Sequence, residues 1–293
     1  MATFRAPAAQ AAYIMKALQG HHLRSVGTVR NYEQGLTRVA EWTQRERLPG
    51  GLRAMTPELA IRYLEQRGQE VGQKALDMER QAMQAMMQHV TGQLAHGARI
   101  PVIKSEQAQV LTARAYTAPQ VALIAAAQTP RHGLATELAY AAGLRAHELL
   151  TLRRGAERAA DPRPALASKW QGRDGVIYTV HGKGGLVREV LLPHALAERL
   201  EAVRLDAPLA ITDRGIHYQS HYDIGGGQRW SNSVSAASER ALGWSTGAHG
   251  LRHSYAQERM AELQASLSRD AALTTVSQEM GHFRPEITET YLR

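Results

Sequence analysis

The residues best suited to chemistry lie near the end of the chain. His249 and Arg252, in the segment AHGLRHSYAQ, are three positions apart and therefore share one face of a predicted helix, close to its N-terminus. That end of a helix attracts phosphate groups. His282 follows a glycine at the end of the next predicted helix, and Tyr291 lies in a last helix that begins at Pro285. An imidazole, a guanidinium and a phenol in one place could hold a phosphate ester and attack it.

Two stretches upstream carry further charges. In GLRAHE, Glu148 lies three residues after Arg145 and could hold its guanidinium while that group binds an anion. In HGKGG, Lys183 lies at the tip of a predicted hairpin, where the flanking glycines let the backbone approach a ligand closely. Each feature alone is more commonly a surface ion pair or an ordinary turn. The ordered set is more specific than any of its members.

A metal site is the weakest interpretation of the histidines. His249 and His253 are four apart, which is the spacing of a helical zinc pair, but the HExxH pattern requires Glu where this chain has Gly250. His253 is predicted to point away from the site as a packed structural histidine. We therefore predict no metal and no cofactor. The metallohydrolase alternative would use His217, His221, His249 and His253.

The surrounding elements are predicted to be mainly helical and to form two domains. Residues 1–96 have helical periodicity, residues 97–116 are a predicted linker, and residues 117–293 form the second domain, with a small β-hairpin over 175–180 and 186–192. Residues 153–170 are predicted to be loop, and residues 216–230, with their three consecutive glycines, a mobile surface loop. The predicted helices span 7–18, 29–48, 56–68, 73–90, 117–127, 134–152 (broken at Gly143), 193–205, 231–242, 249–265, 271–280 and 285–292.

Composition narrows the class of partner. The chain has 293 residues, a net charge of +8 and no cysteine. The positive charge is mostly arginine and indicates a polyanion, nucleic acid first, although solubility alone could account for it. The sequence shows neither an apolar run long enough to cross a membrane nor a secretion signal. We therefore predict a cytoplasmic protein.

The chain resembles the tyrosine recombinases, the phage-integrase family, and within them the integrases of mobile genomic elements. The resemblance rests on GLRAHE, HGKGG, HGLRH, GH at 281–282 and YLR at 291–293, and it covers the whole second half. Less specifically, residues 1–96 resemble the family's core-binding domain, which binds DNA. Many relatives continue beyond the tyrosine with a segment that docks on a neighbouring protomer, whereas this sequence stops two residues after Tyr291.

The resemblance implies a bacterial site-specific DNA recombinase, associated with the nucleoid when bound, that cuts and rejoins strands through a 3′-phosphotyrosyl link, without metal or ATP. The implied fold is a two-domain clamp around double-stranded DNA. The implied assembly is a tetramer on two DNA sites, with possible DNA-bending or directionality proteins as further partners. The implied roles are a phosphate clamp for Arg145 and Arg252, the nucleophile for Tyr291, its base for His249, the acid on the leaving 5′-oxygen for Lys183, a phosphate hydrogen bond for His282, and support of Arg145 for Glu148.

Two alternatives stay open. Type IB topoisomerases and hairpin telomere resolvases have the same catalytic residues and use the same chemistry for a purpose other than recombination. A DNA-binding accessory protein with a silent site belongs to a different class, and specific binding without cleavage would favour it.

Overall fold

The computed structural model describes residues 5–20, 22–23, 26–109 and 111–293, without the side chains of Val26 and Lys183. The fold is mainly helical, with 54% helix and 12% strand in small sheets. The chain divides into two compact units, residues 1–110 and residues 111–293. The predicted fold class, mainly α with a small sheet, is thus confirmed. No helix among the described residues is long and apolar enough to cross a membrane.

Unit 1 is a helical bundle around one apolar core. Thr56 begins its third helix, because the hydroxyl accepts a hydrogen bond from the Leu59 amide at 3.3 Å and Pro57 occupies the first helical position. Leu36, Leu64, Met83 and Met86 are buried in this core. The elements are α1 (Pro7–Leu18), α2 (Val26–Arg45), a 3₁₀ turn (Gly51–Ala54), α3 (Pro57–Gly68), α4 (Gln73–Met86) and a π-helical turn (Met87–Thr91).

Unit 2 surrounds a small sheet with helices, and its core joins both. Tyr178, Val180, Val190 and Leu192 of the sheet are buried against the helices. The helices are α5 (Ala118–Ala126), α6 (Pro130–Ala142), α7 (His194–Glu201), α8 (Gly227–Leu242), α9 (His249–Gln264), α10 (Arg269–Glu279) and α11 (Pro285–Thr288), with 3₁₀ turns at Glu148–Thr151, Lys183–Gly185 and Glu289–Tyr291.

The predicted hairpin is present and belongs to a three-stranded antiparallel sheet. Strands β2 (Val176–His181) and β3 (Val187–Leu192) pair over their full length, with Val180 opposite Arg188. A short strand, β1 (Arg153–Arg154), pairs with the other edge of β2. The sequence prediction of loop from residue 153 missed β1, because two residues carry no periodicity.

A second hairpin lies where the sequence predicted the end of a helix (193–205) and the first part of a loop (216–230). Strands β4 (Arg204–Asp213) and β5 (Ile216–Tyr222) form an antiparallel pair with an irregularity between Arg204 and Leu209. Most of β4 is exposed on both faces. The strand therefore lacks the alternation of apolar and polar residues by which a strand is recognised in a sequence.

The three glycines after this hairpin are packed, so the prediction of a mobile surface loop is wrong. A Cβ on Gly225 would lie 2.4 Å from the His132 ring, and one on Gly226 would lie 2.4 Å from Leu150. Gly227 has a φ of +61° and begins α8, where its Cβ would meet the Asp213 carboxyl at 2.6 Å. Glycine is required here because the chain passes directly over its neighbours.

The boundary between the units falls inside the segment predicted to be the linker. Its first half packs on unit 1, where Gln73 exchanges hydrogen bonds with the main chain of Ile103 and Ser105 at 3.0 and 2.9 Å. Its last residues pack on unit 2, where the Tyr116 amide donates to the Ser254 hydroxyl at 2.8 Å. Val110, between them, lies outside the described residues. The functional assignment of the two domains remains a prediction.

Candidate active site

Arg145 lies in the turn between α6 and the next 3₁₀ turn, and Glu148 holds it. Helix α6 ends at Gly143, which has a φ of +57° and lies against the Tyr255 ring. The Glu148 carboxylate accepts hydrogen bonds from the Arg145 amide at 2.8 Å and from its guanidinium at 2.7 Å. Glu148 is fully buried, whereas the Arg145 side chain keeps 19% of its surface exposed. The support predicted from the three-residue spacing is therefore present.

The sequence did not reveal the second partner of Glu148, which is Arg188 on β3. This buried guanidinium donates to the Glu148 carboxylate at 2.8 and 3.4 Å and to the Glu279 carbonyl, at the end of α10, at 2.7 Å. Burial alone would raise the pKa of Glu148, but the charges of Arg188, Arg252 and Arg145 hold that pKa well below its usual range. The only signal in the sequence was a pair of adjacent charged residues, Arg188 and Glu189, in a strand that is otherwise apolar.

Arg252 is buried beneath the site and bonded mainly to carbonyl groups. Its guanidinium donates to the Gly143 carbonyl, and to the Met280 carbonyl at 2.6 Å. It also donates to Nε2 of His282 at 2.9 Å. Because a guanidinium can only donate, His282 accepts at Nε2 and carries its proton on Nδ1, which lies 3.0 Å from the Thr288 hydroxyl. To donate to a phosphate through Nε2, His282 must be released from Arg252 and must carry a proton on that nitrogen.

Tyr291 is 9% exposed and packs against three histidines. Its ring centre lies 5.1 Å from that of His282, 5.4 Å from that of His249 and 4.8 Å from that of His253. The Arg252 guanidinium carbon lies 5.6 Å from the same ring centre. The structure thus brings the phenol, both candidate imidazoles and one candidate arginine into a single cluster.

The histidines of this cluster are neutral at pH 7. Burial, followed by the charge of Arg252, lowers the pKa of His249 to about 4. Burial, followed by the charges of Arg252 and Arg145, lowers the pKa of His282 to about 3. His249 is nevertheless exposed at the protein surface, where a ligand could reach it. A neutral, accessible imidazole beside a phenol can accept its proton.

Arg252 differs from the other buried arginines of unit 2 in having no carboxylate partner. Within the described part of this unit, Arg188 is paired with Glu148 and Arg259 with Glu279, at 2.8 and 2.9 Å. Arg252 is fully buried, and its Nε has no hydrogen-bond partner. Burial and the charge of Arg145 lower the pKa of Arg252 to about 9, which leaves it protonated at neutral pH. An unpaired buried charge is costly, and a bound anion would compensate it.

Comparison with solved structures shows which known proteins share this fold. The structure is similar to a lambda integrase dimer bound to a core site (TM-score 0.58, 16% identity, 97% of this chain and 94% of that one). It is also similar to the XerH site-specific recombinase bound to a palindromic difH substrate (TM-score 0.57, 14% identity, 98% and 90% covered). A third similar structure is the Tn1549 transposon integrase with circular intermediate DNA (TM-score 0.52, 12% identity, 99% and 96% covered).

The chain has the fold of the tyrosine recombinases. No protein-family model matches the sequence, and no curated protein matches it either. At these identities the likeness establishes the fold alone. The fold is shared over nearly the whole chain, so both units are included in it.

Within this tyrosine-recombinase fold, Lys183 begins the 3₁₀ turn between β2 and β3. Its side chain lies outside the described residues, so its role remains a prediction. His253 was predicted to be a packed histidine pointing elsewhere. It is indeed 3% exposed, but it packs on Tyr291, and its Nδ1 lies 3.2 Å from the Tyr291 carbonyl. Helical spacing alone did not predict this, because Tyr291 reaches α9 from a distant part of the chain.

In the described part of the chain, no group of three or more histidine, aspartate or glutamate residues is placed to hold an ion. His217 and His221 lie on β5, whereas His249 and His253 belong to the Tyr291 cluster on α9.

Proposed function

We propose that this protein is a site-specific DNA recombinase that cuts and rejoins DNA through a covalent link to Tyr291. The observation that carries the proposal is a buried, unpaired Arg252 within 5.6 Å of a buried tyrosine ring, with two neutral histidines against the same ring. Such a cluster offers a cation to a phosphate and a base to a phenol. The shared fold supports the same conclusion.

The proposed reaction exchanges one phosphodiester for another. The Tyr291 oxygen attacks the phosphorus, a 3′-phosphotyrosyl bond forms, and the bond to the 5′-oxygen breaks. His249 accepts the phenol proton, and Lys183 supplies a proton to the leaving 5′-oxygen. Arg145 and Arg252 stabilise the charge that spreads over the non-bridging oxygens. The reverse attack by a 5′-hydroxyl of another strand rejoins the DNA without ATP or a metal ion.

The proposed domain roles, DNA binding and assembly rest on the similar solved structures. The three solved structures named above are described as complexes with DNA, and a further similar structure is a lambda integrase tetramer bound to a Holliday junction. We propose that unit 1 is the core-binding domain, that both units clamp double-stranded DNA, and that four protomers act on two sites. The net charge of +8 predicts phosphate contacts and affinity that falls steeply with salt. Origin in a mobile element, cytoplasmic location and use of accessory proteins belong to the same proposal.

The test is covalent trapping on nicked duplexes of randomised core sequence, in EDTA, followed by denaturing electrophoresis. Wild type is expected to form an adduct, and Tyr291→Phe none. Tyr218→Phe, which removes a hydroxyl from β5 away from the cluster, serves as the matched control and should form the adduct.

Three results would redirect the proposal. An adduct that persists in Tyr291→Phe would identify another nucleophile. Specific binding by wild type without any adduct would favour the accessory-protein alternative. Relaxation of supercoiled DNA by a monomer, without strand exchange, would favour a topoisomerase.

A further inference from the structure

The segment that carries Tyr291 has little structure of its own. Helix α11 is only four residues long, and Tyr291 ends the 3₁₀ turn that follows it. Thr288 is buried and bonds His282 at 3.0 Å. So short a segment is not stable as an isolated helix, and the direction of its tyrosine must be fixed by what it packs against.

Helix α9 binds the main chain of this segment at Tyr291 itself. Nδ1 of His253 lies 3.2 Å from the Tyr291 carbonyl oxygen, and Nε2 of Gln257 donates to the same oxygen at 3.2 Å. Gln257 also donates to the Arg293 carbonyl at 2.9 Å. Because a carbonyl can only accept, His253 carries its proton on Nδ1. Two side chains one helical turn apart thus hold a single carbonyl oxygen.

The same helix carries the groups on which Tyr291 would depend for reaction. His249 lies one turn before His253, and Arg252 lies between them. The hydrogen bonds from α9 to the Tyr291 carbonyl therefore fix the phenol relative to the proposed base and the proposed phosphate-binding arginine. Reaction rates are steeply sensitive to such placement, since a displacement of about 1 Å can cost roughly 100-fold.

We propose that His253 and Gln257 are positioning residues, which hold the Tyr291 carbonyl and thereby aim the phenol of the same chain at the phosphate. The proposal rests on the proposed function, because it gives Tyr291 the part of the nucleophile. It assigns His253 and Gln257 no contact with DNA.

The experiment uses full-length protein with Gln257→Leu, which removes both donated hydrogen bonds from a partly exposed side chain. Gln264→Leu, at the exposed end of the same helix, is the matched control. His253→Asn keeps a donor near the position of Nδ1, whereas His253→Leu does not. Three quantities are measured: the single-turnover rate of adduct formation at saturating DNA, the Kd for DNA, and hydrogen exchange of the 288–293 amides without DNA.

Gln257→Leu is expected to slow adduct formation by about 10- to 100-fold, to leave the Kd unchanged, and to speed hydrogen exchange of 288–293. Gln264→Leu should match wild type in all three quantities, and His253→Asn should react much faster than His253→Leu. Adduct formation by Gln257→Leu at the wild-type rate would overturn the proposal, as would a loss of DNA affinity that accounts for the slower rate.

The exchange measurement separates this proposal from the proposed function. If wild type forms no adduct but Gln257→Leu still speeds exchange of 288–293, the proposed function fails and the hold on Tyr291 stands. If wild type forms the adduct and hydrogen exchange of 288–293 is unchanged in Gln257→Leu, the positioning role of Gln257 is refuted and the proposed function stands.

Discussion

Glu148 is expected to stabilise unit 2 strongly, because its buried carboxylate is hydrogen-bonded to two arginines and lies close enough to a third for their charges to interact. It is fully buried and accepts hydrogen bonds from the Arg145 amide, the Arg145 guanidinium and the Arg188 guanidinium. Glu148→Gln keeps the size of the side chain but removes its charge. It also replaces one acceptor oxygen with an amide that donates towards cations. The arginines would then remain near one another without their counter-ion.

The magnitude follows from the burial of the pair. Removing one partner of a buried ion pair costs about 3–5 kcal/mol, because the other charge is left uncompensated. For a unit of this size, a loss of about 1 kcal/mol lowers the melting temperature by roughly 2–4 °C, so a fall of about 6–20 °C is expected. Arg188→Met should cost a similar amount. The double variant should cost clearly less than the sum of the two, because it removes the buried charge of Arg188 together with that of its partner Glu148.

The stabilisation by the Glu148 carboxylate should decrease as the pH falls. The folded-state pKa of Glu148 lies well below its usual range, whereas the unfolded chain takes up the proton near pH 4.3. The stabilisation is therefore fully present above the unfolded pKa and is lost as the pH falls towards the folded one. The difference in unfolding free energy between wild type and Glu148→Gln should be constant from about pH 8 to pH 5 and should narrow below about pH 4.

Urea unfolding of wild type, the two single variants and the double variant, repeated across this pH range, tests the reasoning. Glu239→Gln, at an exposed position of α8, is the control and should change the unfolding free energy by less than about 0.5 kcal/mol. The reasoning is refuted if Glu148→Gln unfolds within about 0.5 kcal/mol of wild type. It is also refuted if the two single effects add fully in the double variant.

Two further predictions concern the ligand and the packed glycines. Orthovanadate, a phosphate mimic, should raise the pKa values of His249 and His282 from about 4 and about 3 by roughly one unit or more. Titration of the imidazole NMR signals measures this, and unchanged values would contradict phosphate binding at the cluster. Gly226→Ala should lower the free energy of unfolding by about 1–3 kcal/mol, because its Cβ would lie 2.4 Å from Leu150. Gly72→Ala, with open space and a negative φ, should be nearly neutral in the same urea experiment, and equal effects would contradict the packing argument.

The sequence predicted most of the helices because their ends carry local signals, whereas the roles of the candidate site residues remain predictions. Pro7, Thr56 with Pro57, and Gly143 mark helix ends through backbone geometry that can be read one residue at a time. The spacing of His249 and Arg252 followed from helical periodicity in the same way. Their position beside Tyr291 did not follow from spacing. It came from the resemblance to a known family.

The parts that were missed depend on long-range contacts. Arg188 is a charged residue in a strand, and only the fold brings it to Glu148, 40 positions away. The β4–β5 hairpin is exposed on most of its surface, so no alternation marks it. The glycines at 225–227 follow no phosphate-loop pattern, and their packing against His132 and Leu150 comes from other helices and turns. His253 belongs to the same class, since its partner lies 38 positions away.

The buried arginines of unit 2 differ in their partners, and this difference bears on the proposed chemistry. Arg188 and Arg259 are neutralised by carboxylates, which is how a folded chain ordinarily tolerates a buried charge. Arg252 is held instead by the Gly143 and Met280 carbonyls, which fix its position without cancelling its charge. Had a carboxylate occupied that place, an incoming phosphate would have had to displace it. The charge of Glu148 acts on Arg252, but no carboxylate of the described residues is hydrogen-bonded to this guanidinium. Compensation by an anion is what would make Arg252 useful as a phosphate-binding group.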